Sequence, residues 1–212
     1  MRLFLASYRF GDHQDRFVEL TDTPGKIAVI ANASDSWPST VRESAVVSDL
    51  TPLRRLGFEP SEVDLRDYVD RTDELTATLA EFPVVWVRGG NTFVLRAQFA
   101  RSGADRVLRE RLAEDSLVYA GYSAGACLMT PSLRGVELAD DPDEVLPTCG
   151  IEPVWDGLGM VDRAIVPHWN SATDIDDASR AIVDGYLADG TPHWALTDHE
   201  VIVVDGDSVE RL

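Results

Sequence analysis

The chain has 212 residues, with 37 Asp and Glu against 19 Lys and Arg, which gives a formal net charge of -18 at pH 7. This length predicts one domain with a hydrophobic core large enough to stabilise the fold without a disulfide or a bound metal. The excess of negative charge disfavours nucleic acid as a partner, because binding phosphates requires clustered basic residues.

Short apolar segments rich in β-branched residues alternate with longer amphipathic segments, which is typical of a parallel sheet covered by helices on both faces. In chain order, the sequence predicts strand Arg2–Ser7, strand Lys26–Ala33, helix Thr40–Leu56, strand Val63–Leu65, helix Asp73–Glu81, strand Val84–Val87, helix Asn91–Arg101, helix Ala104–Ala113, strand Leu117–Tyr122, the start of a helix at Ser123–Met129, strand Ala164–Pro167, helix Asp174–Leu187, and two strands after Ala195 around Asp205-Gly206. We therefore expect a doubly wound α/β fold with a mostly parallel sheet and an antiparallel hairpin at the C-terminus.

One segment, Leu133–Trp155, departs from this alternation. It is charged, contains three prolines and shows no clear hydrophobic period. A segment of this length without regular structure inside a compact domain is usually functional or mobile.

No apolar stretch approaches the ~20 residues of a membrane span, and the N-terminal apolar run is too short for a signal peptide. Cys127 and Cys149 have no metal-ligand spacing, so we expect free buried thiols. These observations predict a cytoplasmic protein with no membrane partner. They leave the oligomeric state open, and a homo-oligomer is compatible with them.

The most informative motif is Gly121-Tyr122-Ser123-Ala124-Gly125, which lies between a predicted strand and a predicted helix. This is the G-x-S-x-G nucleophile elbow in its required context, where the turn exposes the serine hydroxyl at the strand end. The start of the following helix favours a developing oxyanion. A serine that only caps a helix gives the same pattern, so the motif alone does not decide between the two readings.

A second motif, Arg88-Gly89-Gly90-Asn91, follows the predicted strand Val84–Val87. Carboxyl ends of strands form the ligand crevice of an open α/β sheet, so this loop is expected to face the elbow. The N–H groups of Gly90 and Ala124 are then candidate oxyanion donors. Asn91 and Arg88 are candidate substrate-binding residues.

The chain has four histidines, and His168 is the candidate base because it alone follows a predicted strand, in Val166-Pro167-His168-Trp169. A nucleophilic serine needs an imidazole to accept its proton and a carboxylate to orient that imidazole. His13, His193 and His199 lie in polar or turn-rich stretches.

Gly-Gly-Asn-Thr-Phe at 89–93, Gly-Tyr-Ser-Ala-Gly-Ala at 121–126 and Pro-His-Trp at 167–169 resemble, in order and spacing, the aspartyl dipeptidase (peptidase E) family. That family includes the cyanophycinases and shares its core with class I glutamine amidotransferases. The resemblance runs from Lys26 to Gly206. It implies an amidotransferase-like, flavodoxin-like fold and a serine peptidase without metal or other cofactor. Ser123 is then the nucleophile, His168 the base, and Gly90 and Ala124 the oxyanion donors.

The same resemblance implies that the triad acid lies before the final strands, in Ala195-Leu196-Thr197-Asp198-His199-Glu200. Asp198 aligns with the family's acid, and Glu200 is the alternative two residues later. An acid after the histidine gives the chain order Ser, His, acid, whereas an α/β-hydrolase has the order Ser, acid, His.

The sequence departs from the aspartyl dipeptidases in Gly135–Asp141, which lacks their Asn-Asp pair. Specificity for an N-terminal aspartate is therefore not expected, and a substrate carboxylate would need a cation such as Arg88, Arg134 or Arg163. We predict a peptidase for short peptides. The alternatives are an esterase that uses the same elbow and a non-catalytic amidotransferase-like binding domain. A glutamine amidotransferase is disfavoured because the elbow carries serine rather than cysteine.

Overall fold

The computed structural model describes residues 1–171 and 175–212, and its central feature is a seven-stranded sheet. The strands are β1 (Arg2–Ala6), β2 (Lys26–Ile30), β3 (Glu59–Glu62), β4 (Val84–Val87), β5 (Val118–Tyr122), β6 (Ala164–Val166), β7 (His193–Ala195), β8 (Val201–Asp205) and β9 (Ser208–Arg211). The helices are α1 (Gln14–Leu20), α2 (Ser39–Arg55), α3 (Thr72–Leu79), α4 (Thr92–Ser102), α5 (Ala104–Ala113), α6 (Ala124–Cys127), α7 (Val145–Cys149) and α8 (Ile175–Asp189). Within the described ranges, no helix has both the length and the apolar composition needed to cross a membrane.

The main sheet has the strand order β3-β2-β4-β5-β1-β8-β9. The first five strands in this order are parallel, β8 runs antiparallel to β1, and β9 runs antiparallel to β8. The structure therefore confirms the mostly parallel sheet and the C-terminal hairpin.

Alternate residues of each central strand belong to two different core layers. In β1, Leu3 and Leu5 pack into one layer and Phe4 and Ala6 into the other, and all four are fully buried. Helices α3, α4 and α5 cover the first layer, while α1 and α2 cover the second. Burial on both faces explains why these strands are continuous apolar runs.

The prediction of a strand at Val63–Leu65 is wrong, because the strand lies four residues earlier, at Glu59–Glu62. This polar strand forms the edge of the sheet, where one side of the backbone needs no strand partner. Val63 and Leu65 are buried in the turn that follows the strand.

Strand β6 forms where it was predicted, but it belongs to a separate parallel pair with β7 rather than to the main sheet. The sequence did not predict β7 or the short helices α1 and α7. The predicted start of the last helix, Asp174, lies outside the described residues, and the described helix is Ile175–Asp189.

The segment Leu133–Trp155 packs against α4. It contains α7 and two short 3₁₀ turns, and it closes on itself where the Leu133 N–H donates to the Trp155 carbonyl oxygen at 2.8 Å. Val136 and Val145 share an apolar cluster with Phe93 of α4. The segment therefore forms one wall beside the carboxyl ends of β4 and β5.

Candidate active site

The candidate site lies where the neighbouring strands β4, β5 and β1 end. Gly89 and Gly90 follow β4, Ser123 follows β5, and Ser7 follows β1. Since these strands are parallel neighbours, their carboxyl ends meet at one edge of the sheet, which is the usual ligand position in this architecture.

Ser123 has the strained backbone of a nucleophile elbow, with φ 51° and ψ −116°. Its N–H donates to the Ala6 carbonyl oxygen at 3.0 Å, which fixes the turn to β1. A Cβ atom on Gly125 would lie 2.4 Å from the Val87 carbonyl oxygen, so the helix can approach β4 only with glycine there. Strain held in place by its surroundings is common at functional sites.

Three side chains predicted from separate parts of the chain meet at this turn. His168 Nε2 lies 3.1 Å from Ser123 Oγ, and His168 Nδ1 lies 2.6 Å from Asp198 Oδ1. His168 follows β6, so the small sheet brings the imidazole to the main sheet. This hydrogen-bonded order allows a proton to pass from the serine to an imidazole held by a carboxylate.

The carboxylate beside His168 belongs to Asp198 and not to Glu200. Glu200 accepts a hydrogen bond from the Thr197 N–H at 2.8 Å and pairs with Arg211 at 2.9 Å. Asp198 lies after His168 in the chain, so the contacting residues follow the order Ser, His, Asp, unlike an α/β-hydrolase.

Ser7 is a residue of this site that the sequence analysis missed. Its side chain is fully buried; its Oγ donates to Asp198 Oδ1 at 3.0 Å and accepts from the His168 N–H at 2.7 Å. His168 has a φ of 61°, an unusual value for a non-glycine residue, and the Ser7 hydroxyl anchors that backbone. The one signal in the sequence was its position as the last residue of the predicted strand Arg2–Ser7.

The loop after β4 faces the elbow as expected, because a Cβ atom on Gly89 would lie 3.3 Å from Ser123 Oγ. Gly90 has a φ of 147°, and a Cβ there would lie 2.4 Å from the Ala33 carbonyl oxygen. Among the described residues, the N–H groups of Gly90 and Ala124 have no hydrogen-bond partner. Both are therefore available to an oxyanion at Ser123.

A cavity of about 430 Å³ opens beside Ser123 and His168. Its acidic wall consists of Asp140, Asp141 and Glu144 from the Leu133–Trp155 segment. Its apolar lining includes Cys127, Val136, Ile165 and Ile182. Burial raises the pKa of the Asp140 carboxyl, and hydrogen bonds from Thr92 oppose this effect.

The two candidate substrate-binding residues already have partners. Asn91 lines the cavity, but its Oδ1 caps α4, and its Nδ2 donates to Asp141 O and Glu144 Oε2. Arg88 does not line the cavity, which corrects the expected position of its side chain. Its guanidinium forms an ion pair at 2.6 Å with Asp49, a fully buried residue of α2.

The sequence of the chain is similar to those of known peptidases. The model of the family described as Peptidase family S51 matches residues 8–212. An uncharacterized peptidase from Listeria monocytogenes is 30% identical over 173 residues, covering 81% of this chain and 80% of that protein. A protein named peptidase E from Streptomyces coelicolor is 36% identical over 110 residues, covering 50% of this chain and 40% of that protein.

Solved structures agree with the sequence comparisons. A crystal structure from Listeria monocytogenes, described as a candidate peptidase E, has a TM-score of 0.83 and 27% identity over 100% of this chain and 97% of that one. A peptidase from an acI-B1 actinobacterium has a TM-score of 0.67 at 14% identity, over 100% of this chain and 86% of that one, and shows the shared fold.

Proposed function

The chain belongs to peptidase family S51, and we propose that it hydrolyses short peptides as a serine-type enzyme. In this proposal Ser123 is the nucleophile, His168 the general base and Asp198 the acid that orients the base. The observation that carries the proposal is the continuous hydrogen-bonded order from Ser123 through His168 to Asp198.

The reaction begins when Ser123 Oγ attacks the scissile carbonyl carbon and its proton moves to His168 Nε2. The carbonyl oxygen becomes an oxyanion that accepts hydrogen bonds from the N–H groups of Gly90 and Ala124. The carbon–nitrogen bond then breaks, and His168 gives its proton to the departing amine, which leaves an acyl group on Ser123. Water, deprotonated by His168, attacks this ester and releases the carboxylic acid and the serine hydroxyl.

The shape of the site supports a short substrate. The cavity of about 430 Å³ is bounded on one side by residues of the Leu133–Trp155 segment. This volume suits one or two amino-acid residues rather than an extended chain.

The test is hydrolysis of a dipeptide and tripeptide panel, followed by mass spectrometry, for the wild-type protein, Ser123→Ala and Ser132→Ala. Ser132 is the control because it lies nine residues further along and outside the cavity. We expect Ser123→Ala to lower kcat/KM by about 10⁴-fold or more. Near-normal turnover by Ser123→Ala, with unchanged folding, would contradict the proposal.

A panel of p-nitrophenyl esters separates the esterase alternative from the peptidase. Ester turnover that depends on Ser123, without cleavage of any peptide, would favour an esterase. No turnover of either class would favour the non-catalytic binding domain, although the contact of His168 with both Ser123 and Asp198 counts against it.

A further inference from the structure

The charges around the candidate site bear on which peptides it accepts. The described residues that line the cavity include three carboxylates and no lysine or arginine. Residues 172–176, Ala-Thr-Asp-Ile-Asp, contain no lysine or arginine either. A substrate carboxylate that entered this cavity would therefore meet like charges and no counter-ion.

The three arginines named above as candidate counter-ions, and Arg180 of α8, have other partners. Arg88 pairs with Asp49. Arg134 and Arg163 line a different cavity, and they stack on Trp155 and Trp194, respectively. Arg180 stacks on Trp169 and donates to Asn170 Oδ1 at 3.0 Å.

The acidic wall, in contrast, lines the cavity and offers a carboxylate oxygen that has no hydrogen-bond partner among the described residues. Asp140 Oδ2 accepts from the Thr92 N–H at 2.9 Å and from Thr92 Oγ1 at 2.6 Å, whereas its Oδ1 has no partner among the described residues. None of Asp140, Asp141 and Glu144 forms an ion pair within the described ranges. A wall of carboxylates without counter-ions suits a cationic group, such as the ammonium group of a peptide N-terminus.

Asp140 lines the same cavity as Ser123, which would attack the reacting carbonyl group. Thr92, which binds Asp140, is two residues after Gly90, the candidate oxyanion donor. In a peptide with a free N-terminus, the α-nitrogen is one carbon away from the first carbonyl group. Gly90, Ser123 and Asp140 line the same cavity, so Asp140 is the carboxylate that we match with the α-ammonium group of a peptide whose first carbonyl group Ser123 attacks.

We propose that Asp140 binds the free α-ammonium group of a peptide whose first residue is apolar, and that the cavity rejects an acidic first residue. This inference rests on the proposed peptidase function and specifies its substrate class. Ile165, Ile182 and Cys127 are all nearly fully buried and offer the first side chain an apolar surface. Burial of a leucine side chain there is favourable, while an aspartate side chain would face Asp140 without a cation.

The first experiment measures binding rather than turnover, so that it does not depend on the proposed chemistry. Calorimetric titrations of Ser123→Ala with Leu-Ala, N-acetyl-Leu-Ala, Asp-Ala and Lys-Ala are compared. We expect Leu-Ala to bind at least tenfold more tightly than N-acetyl-Leu-Ala and Asp-Ala. Equal or tighter binding of either peptide, tighter binding of Lys-Ala, or no binding of Leu-Ala at millimolar concentration would overturn the inference.

The second experiment assigns the ammonium site. In the Ser123→Ala protein, Asp140→Asn should weaken Leu-Ala binding about tenfold, while Asp143→Asn should leave it unchanged. The asparagine can still accept both hydrogen bonds from Thr92, and Asp143 is an exposed carboxylate of the same segment outside the cavity. Equal effects of the two substitutions would overturn the role of Asp140. The hydrolysis assay with intact Ser123 tests the peptidase function separately, because the relative affinities of the four peptides for Ser123→Ala do not depend on turnover.

Discussion

Replacing Asp198 with asparagine, and Glu200 with glutamine as its control, tests which acid supports the candidate base. Both substitutions remove one negative charge and keep the shape of the side chain. They lie two residues apart in the segment between β7 and β8. Only Asp198 contacts His168.

The expected loss follows from the geometry. The contact of 2.6 Å between His168 Nδ1 and Asp198 Oδ1 places the two charge centres about 4 Å apart once the imidazole is protonated. At an effective dielectric constant of about 20, a pair at this distance interacts by about 4 kcal/mol, or roughly 10³-fold in rate. Because 34% of the Asp198 side chain is exposed, screening reduces this value, and we expect kcat/KM to fall by on the order of 10²- to 10³-fold.

The assay is steady-state hydrolysis of the best dipeptide from the panel, with thermal unfolding of each variant as the check on folding. Glu200→Gln weakens a contact with Arg211, whose side chain is 47% exposed, so its kcat/KM should stay within about threefold of the wild type. The reasoning is refuted if Asp198→Asn keeps more than a tenth of the activity, or if Glu200→Gln loses more activity than Asp198→Asn.

Two further predictions concern neighbouring hydrogen-bond networks. Ser7→Ala removes a donor to the Asp198 carboxylate, so kcat/KM should fall about 10- to 100-fold, whereas the equally buried Ser102→Ala should leave it unchanged; equal activities in the two variants would contradict this role. Burial alone would raise the pKa of Asp64, but hydrogen bonds from Arg66 and Asn32 lower it to about 2. Since the folded-state pKa is lowered, Asp64 stabilises the protein above its unfolded pKa, and this contribution is lost as pH falls toward 2. Denaturant unfolding should therefore show the wild type about 2 kcal/mol more stable than Asp64→Asn at pH 5.5, with a smaller difference at pH 3; a difference that does not change with pH would contradict it.

The parts of the fold that follow from local sequence were predicted well. Strand Val84–Val87 and helix Ala104–Ala113 form with the predicted bounds. Each carries its own signal: an apolar run buried on both faces in the strand, and an amphipathic period between Gly103 and Glu114 in the helix. The edge strand Glu59–Glu62 was missed because its pairing with β2, rather than its composition, makes it a strand.

In the candidate site, too, the residues with a local sequence signal were predicted from that signal, whereas distant contacts place the others. Ser123 and Gly90 were identified because tight turns at strand ends leave glycine and serine patterns in the sequence. The choice between Asp198 and Glu200 depends on which side chain faces His168 across the join between the two sheets, and spacing alone does not contain that information. Ser7 lies 161 residues from His168 in the chain, and no local pattern connects them.

Ser123 and His168 share a strained backbone conformation that the end of β1 holds in place. Both residues have positive φ, 51° and 61°, and both directly follow the ends of strands or lie within two residues of them. Such backbones cost free energy unless their surroundings over-determine them. The N–H of Ser123 is held by the carbonyl oxygen of Ala6, and the N–H of His168 is held by the hydroxyl of Ser7. Two consecutive residues at the end of β1 therefore anchor both strained turns, so one central strand, and not only the loops that carry them, sets the distance between the candidate nucleophile and the candidate base.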